Sequence, residues 1–194
     1  MTERGSRAPH GRSSAADAVR IRPARAIDSA AIGRVYVDSW RTSYAGLLPD
    51  DYLARLSYLE QESAWRLQLA RPGLATFVAE DGAGQIVGFA SGGAERTGTG
   101  TYFAELYTLY LLEDYHGRGI GRSLVGAFSA RIMRIGFRSM LVWVLQGNPA
   151  RRFYARLGGQ MLQTRPVRAG GTTLMEVAYG WRDVAVLCRD RPRR

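Results

Sequence analysis

Residues 105–159 read ELYTLYLLEDYHGRGIGRSLVGAFSARIMRIGFRSMLVWVLQGNPARRFYARLGG. The apolar, tyrosine-rich run Glu105 to Leu112 has a strand pattern and leads into the glycine turn His116-Gly117-Arg118-Gly119-Ile120-Gly121. After the turn, Ile120, Leu124, Val125, Phe128, Ile132 and Ile135 recur at helical spacing. The uniformly apolar Met140 to Leu145 is expected as a strand buried on both faces, and a short helix carrying Asn148 and Tyr154 follows. A strand, a glycine turn and a helix in succession make a place for phosphate. Glycine lets the backbone come close, and the first helical turn points its N–H groups outward at the anion. The stretch is therefore read as a coenzyme-binding site. Its glycines run G-x-G-x-G, which is neither the dinucleotide fingerprint nor a P-loop, since no Lys-Ser/Thr follows.

Upstream, Val19 to Pro23 reads as a short first strand. Asp28 or Ser29 is placed to cap a helix through Ile32, Val35, Tyr36 and Trp40, and Arg41 to Leu48 is expected as a loop. Pro49-Asp50-Asp51 starts a second short helix, and a third runs from about Tyr58 to Ala70, stopped by Pro72-Gly73. Leu74 to Glu80 and Gln85 to Glu95 form strands joined at Asp81-Gly82-Ala83-Gly84. Downstream, Gln160 to Val167 and Thr172 to Trp181 pair as a closing hairpin across Ala169-Gly170-Gly171. This order of elements predicts a mixed α/β sheet in one domain, residues 19–182. Residues 1–18, rich in Ser, Arg, Gly and Ala, are expected to be a disordered basic tail, and residues 183–194 a second basic tail.

The chain has 194 residues, one cysteine (Cys188) and a net charge of +10. A lone cysteine excludes an internal disulfide and a thiolate metal cluster, and no metal site is expected. No stretch has the apolar length to span a membrane and no hydrophobic segment follows the basic N-terminus, so a cytoplasmic location is expected. Every lysine position is empty: the basic side chains other than histidine are all arginine. Residues 1–25 and 182–194 together carry +7 of the charge, and the body is polarised. From Asp28 to Asp114 there are twelve acids and six arginines, and from Tyr115 to Met175 ten arginines and no acid. The half holding the glycine turn suits a polyanionic ligand; the acidic half suits a cationic amine, or is simply a solvated surface.

Together with the downstream segment Asn148-Pro149-Ala150-Arg151-Arg152-Phe153-Tyr154, these motifs resemble the GNAT acyltransferase superfamily. That family holds the pyrophosphate of acetyl-coenzyme A on Gln/Arg-x-x-Gly-x-Gly/Ala, matched here by His116-x-x-Gly119-x-Gly121. Leu109-Tyr110-Leu111, Tyr154 and Leu157-Gly158 are also similar, and the resemblance covers Val19 to Trp181. The chain departs at His116, where Gln or Arg is usual, and at Gly159, where an aromatic usually follows the last Leu-Gly.

The resemblance implies a mostly antiparallel central sheet with one splayed parallel strand pair and helices on both faces. It implies an acetyl-coenzyme A-dependent N-acetyltransferase, in which an amine attacks the thioester directly in a ternary complex. The pyrophosphate would lie on Gly117, Arg118, Gly119, Ile120, Gly121 and Arg122, with His116 beside it. The pantetheine arm would lie on Leu109, Tyr110 and Leu111, with Asn148 capping the short helix and bonding the arm. Glu105 is the candidate base, acting directly or through water, or else a structural acid or a charge partner for the amine. Tyr154 is the candidate acid for the leaving thiol. Trp40, Tyr44 and Leu47 are candidate acceptor-side residues, with core packing as their other reading. Two other classes stay open: a module that senses acyl-coenzyme A without turnover, and an arginine-tailed nucleic-acid binder, disfavoured because no recognised nucleic-acid motif is present. Dimerisation and the identity of the acceptor are left open.

Overall fold

In a computed structural model, which describes residues 18–98 and 100–188, seven strands form one sheet in the order β1-β2-β3-β4-β5-β7-β6. The strands are β1 (Arg20–Pro23), β2 (Ala75–Glu80), β3 (Ile86–Ala94), β4 (Ala104–Leu111), β5 (Met140–Leu145), β6 (Gln160–Ala169) and β7 (Thr172–Trp181). All neighbouring pairs are antiparallel except β4 and β5. The parallel pair is joined by the crossover helix α4 (Ile120–Arg134), as parallel strands require.

Helices cover both faces. On one side α1 (Ser29–Ser43) and α3 (Tyr58–Leu69) pack with α2 (Asp50–Ala54) between them in sequence. There Ile32, Val35, Trp65 and Phe89 form a buried cluster, with the Trp65 and Phe89 rings edge to face at 4.8 Å. On the other side α4 and the short helix α5 (Arg151–Arg156) cover a larger core that includes Leu106, Leu124, Phe128 and Val142. Ile120, Leu124, Val125, Phe128 and Ile132, five of the six apolar positions expected in α4, are buried; Ile135 is exposed.

Three expectations are corrected. The segment after Trp40 stays helical to Ser43, so the loop begins later than Arg41. Asp28 stands at the start of α1 but does not cap it: its carboxylate accepts from Arg22 at 2.7 and 3.0 Å and from the Arg25 N–H at 2.7 Å. The expected C-terminal tail is partly structured, because Val184–Leu187 forms a 3-10 turn that buries Val184 and Leu187 against the α4 core. The expected N-terminal tail (but for Ala18) and residues 189–194 lie outside the described residues. No described helix is long and apolar enough to cross a membrane.

Candidate active site

The site begins where the parallel pair comes apart. β4 and β5 pair only from Ala104–Met140 to Leu106–Val142, although β4 runs on to Leu111 and β5 to Leu145. A β-bulge on the other edge of β4 lies at the same level. Ser91 faces Thr108 but Gly92 faces Leu106, so Tyr107 is an extra residue on β4. A bulge bends and twists its strand, here at the level where β4 leaves β5. Gly92 makes room for it: a Cβ there would lie 2.3 Å from the Glu105 carbonyl oxygen and 2.5 Å from the Phe128 ring.

The Leu112 N–H bonds to the Val87 carbonyl on the β3 side. The preceding Leu111 carbonyl therefore points into the gap, and by strand alternation Leu109 and Leu111 present their backbone polar groups there while Tyr110 turns its own toward β3. Leu111 O is met by His116 Nε2 at 2.9 Å, so that nitrogen carries the proton. His116, expected beside the phosphates, lines the cleft next to the glycine turn, and its ring caps the end of β4.

The glycine turn holds Gly117 and Gly119 at φ of 74° and 83°. Gly119 is the cap residue of α4, and no side chain caps the helix. The N–H of Ser123 bonds back to Gly119 O at 3.1 Å, which leaves the N–H groups of Ile120, Gly121 and Arg122 without helical partners. That is an anion cradle with a favourable dipole. Arg122 lines the cleft beside it. Arg118 does not: its guanidinium lies 5.1 Å above the Tyr115 ring, whose hydroxyl donates to Asp81 at 2.8 Å.

A cleft of about 1170 Å³ runs from this cradle through the β4–β5 gap to the far face of the sheet, where Trp40, Tyr44 and Leu47 line it. Because α1 continues past Trp40, Trp40 and Tyr44 sit one turn apart on the same helix face, with ring centroids 4.8 Å apart. The Tyr44 and Tyr110 hydroxyls are 3.2 Å apart. Tyr154 projects from α5 and is buried among Phe153, Tyr179 and Trp181. Burial, and after it the nearby Tyr44 phenol, holds its pKa well above the ordinary tyrosine value, so the proton stays on. Asn148 lies ahead of α5 instead of in it. Its Oδ1 accepts from the Ala150 N–H at 2.8 Å, forming a turn that introduces the helix.

Glu105 is 2% exposed. Arg96 donates to its Oε1 from Nη2 at 2.6 Å, and to its Oε2 from Nε at 3.2 Å and from the backbone N–H at 3.1 Å. The Arg96 guanidinium lies 3.7 Å over the Tyr107 ring. A second such group, missed in the sequence, lines the same cleft: Glu176 on β7, Arg165 on β6 and Trp143 on β5. Its one sequence signal was that Glu176 is the only acid between Asp114 and Asp183. Arg96, too, was not singled out.

Comparison with known proteins gives matches of different reach. Residues 30–159 match the model of the "Acetyltransferase (GNAT) family". An uncharacterized N-acetyltransferase of Bacillus subtilis (strain 168), YuaI, is 38% identical over 169 residues, spanning 87% of this chain and 96% of that protein. The L-methionine sulfoximine/L-methionine sulfone acetyltransferase of Pseudomonas aeruginosa is 33% identical over 110 residues, 54% of this chain and 64% of that protein. In fold, the PaiA N-acetyltransferase of Thermoplasma acidophilum, solved in complex with coenzyme A, superposes with a TM-score of 0.65 at 22% identity, covering 82% of this chain and 98% of that one.

Proposed function

We propose, from the premise that this chain belongs to the acetyltransferase (GNAT) family, that it transfers the acetyl group of acetyl-coenzyme A to a primary amine by direct attack in a ternary complex. One observation carries the reading: a single cleft joins an uncapped helix N-terminus to a buried carboxylate and a buried phenol, by way of a gap between two strands. The residues fit the coenzyme. The N–H groups of Ile120, Gly121 and Arg122 receive its pyrophosphate, with Arg122 adding charge. The backbone groups of Leu109 and Leu111 pair with the amides of its arm, and His116 fixes the end of that strand. Bound acetyl-coenzyme A supplies the acetyl thioester.

The chain's own residues then handle the protons. The amine must be neutral to attack, and Glu105 is the group that receives its proton. Arg96 occupies both carboxylate oxygens, so the proton travels through water on the remaining lone pairs. As the carbon–nitrogen bond forms and the carbon–sulfur bond breaks, the Tyr154 hydroxyl gives its proton to the leaving sulfur. Trp40, Tyr44 and Leu47 wall the acceptor's side.

Thermal melting with acetyl-coenzyme A, coenzyme A and NAD tests the binding half. At a hundredfold over Kd the native state should gain about 2.7 kcal/mol with the first two and nothing with NAD. Thiol release over an amine panel tests the chemical half, starting from the two compounds named for the Pseudomonas relative. Tyr154→Phe should lower turnover by about a hundredfold or more while acetyl-coenzyme A still binds. Full turnover in that variant removes Tyr154 from the mechanism.

A further inference from the structure

The acceptor end of the cleft is floored by two acid–arginine pairs, and the two arginines are not equivalent. Arg96 spends Nε and Nη2 on Glu105. Arg165 gives only Nε to Glu176, at 2.5 Å. Among the described residues, neither terminal nitrogen of Arg165 has a hydrogen-bond partner. The guanidinium is nevertheless held flat. It lies 3.8 Å above the Trp143 ring, Glu176 fixes its inner edge, and its side chain is 40% exposed in the cleft wall. Sheet register explains the placement. Arg165 on β6 pairs directly with Glu176 on β7, which pairs with Leu145 on β5, two residues beyond Trp143. Val142 and Val144 belong to the α4 core, so alternation turns Trp143 to the opposite face, where Trp40 and Tyr44 stand.

A stacked guanidinium whose outer fork is free suits a planar anion better than an ammonium would, because two parallel donors match two carboxylate oxygens. The charge of the floor points the same way. Glu105 and Glu176 are each neutralised by an arginine, so the floor offers no net negative charge to a polycation such as a polyamine. It suits a ligand carrying one charge of each sign.

We infer that Arg165 docks a carboxylate of the acceptor, and hence that the acceptor is an amino acid or a similar small amine bearing a carboxylate. This rests on the acetyl-transfer reading of the cleft. Trp143 and Glu176 are positioning residues in it: they hold the fork and do not touch the reacting atoms. A peptide N-terminus, whose first carboxyl is an amide, lacks the group that Arg165 recognises.

The test compares thiol release from acetyl-coenzyme A with a panel of α-amino acids, each set against its amino amide and its decarboxylated amine. The expected result is a kcat/KM about ten- to hundredfold higher for the acids. In Arg165→Gln that preference should collapse through KM rather than kcat, with Arg165→Lys intermediate because it keeps the charge without the fork. The wild-type comparison requires no variant to fold. Amides and amines consumed as readily as the acids would overturn the inference and leave acetyl transfer standing. Silence across all the amino acids, with acetyl-coenzyme A raising the melting temperature, would overturn it as well, and so would a preference that survives Arg165→Gln. Failure of acetyl-coenzyme A to bind at all would instead overturn the underlying reading, and this inference with it.

Discussion

A carboxylate as buried as Glu105 keeps its place only because Arg96 satisfies it, so its role in the chemistry and its role in the fold need separate readouts. Glu105→Gln preserves volume and removes the charge. If Glu105 takes the amine's proton, turnover should fall about a hundredfold while acetyl-coenzyme A still binds. Stability should fall only by about 1–2 kcal/mol, because Arg96 is more than half exposed and solvates when released. Normal turnover with a lowered melting temperature would make Glu105 a structural partner of Arg96. Glu105 and Tyr154, which both line the cleft, could be singled out in the sequence because each lies beside a local pattern, the strand or the Asn-Pro helix. Arg96, Arg165 and Glu176 were not, since their meaning comes from pairing across strands and no local period reports which face a residue takes. Gly159 shows the same limit. The aromatic usual at that position is absent because Trp181 from β7 fills the space, lying 2.7 Å from where a Cβ would sit and donating to the Leu157 carbonyl at 3.1 Å.

At the scale of elements, the strand–turn–helix order was readable because every part of it is local. α4 was legible from its apolar spacing, and β5 from an unbroken apolar run. What makes the site is the place where β4 leaves β5, and that depends on the bulge opposite Ser91-Gly92. Glycines inside a strand are a general sign of a bulge or a close approach. The run Ser91-Gly92-Gly93 carried that sign, but position alone does not say which partner strand bulges. Gly92→Ala tests the coupling. Its methyl would meet the Glu105 carbonyl at 2.3 Å and Phe128 at 2.5 Å, so β3, β4 and α4 cannot all keep their positions. Destabilisation of about 1–3 kcal/mol is expected from overpacking. Acetyl-coenzyme A affinity should also drop, because the gap is set by the same strands; a destabilised variant that binds with wild-type Kd below its melting temperature would separate the bulge from the splay. The end of α1 was misplaced for a related reason. Arg41 to Ser43 has no breaker, and Arg41 is held in the helix by bonds to the Leu53 and Leu56 carbonyls, which are remote in sequence.

Taken whole, the molecule packs Tyr36, Tyr44 and Tyr110 together between sheet and helix, and the lack of lysine makes its tyrosines unusually easy to titrate alone. With 27 arginines and no lysine, no cationic side chain loses its charge between about pH 10 and 12. Between about pH 10 and 12 the side chains of the unfolded chain that give up protons are therefore its tyrosines. Burial raises the pKa of Tyr36, Tyr44, Tyr110 and Tyr154 above the ordinary value, with neighbouring phenols adding to the shift at Tyr36, Tyr110 and Tyr154. A folded-state value above the unfolded one means that the unfolded chain gives up its protons first. Their stabilisation is then complete below about pH 10 and is lost as pH rises toward the folded values. At the other end Asp28 works oppositely. Burial alone would raise its pKa, but bonds from Arg22 and from the Arg25 N–H outweigh that and lower it, so its contribution is present above about pH 4 and lost on acidification. Stability should form a plateau with a steep alkaline edge, measured by denaturant unfolding at a series of pH values. Tyr36 identifies the origin of that edge, because its ring stacks on Trp40 at 5.0 Å and Tyr36→Phe keeps the stack while removing one titrating hydroxyl. The variant should lose at most about 1.4 kcal/mol per pH unit from the alkaline slope, the share of one proton. An unchanged slope would mean that the edge belongs to other groups and that the Tyr36 hydroxyl is solvated in the folded protein.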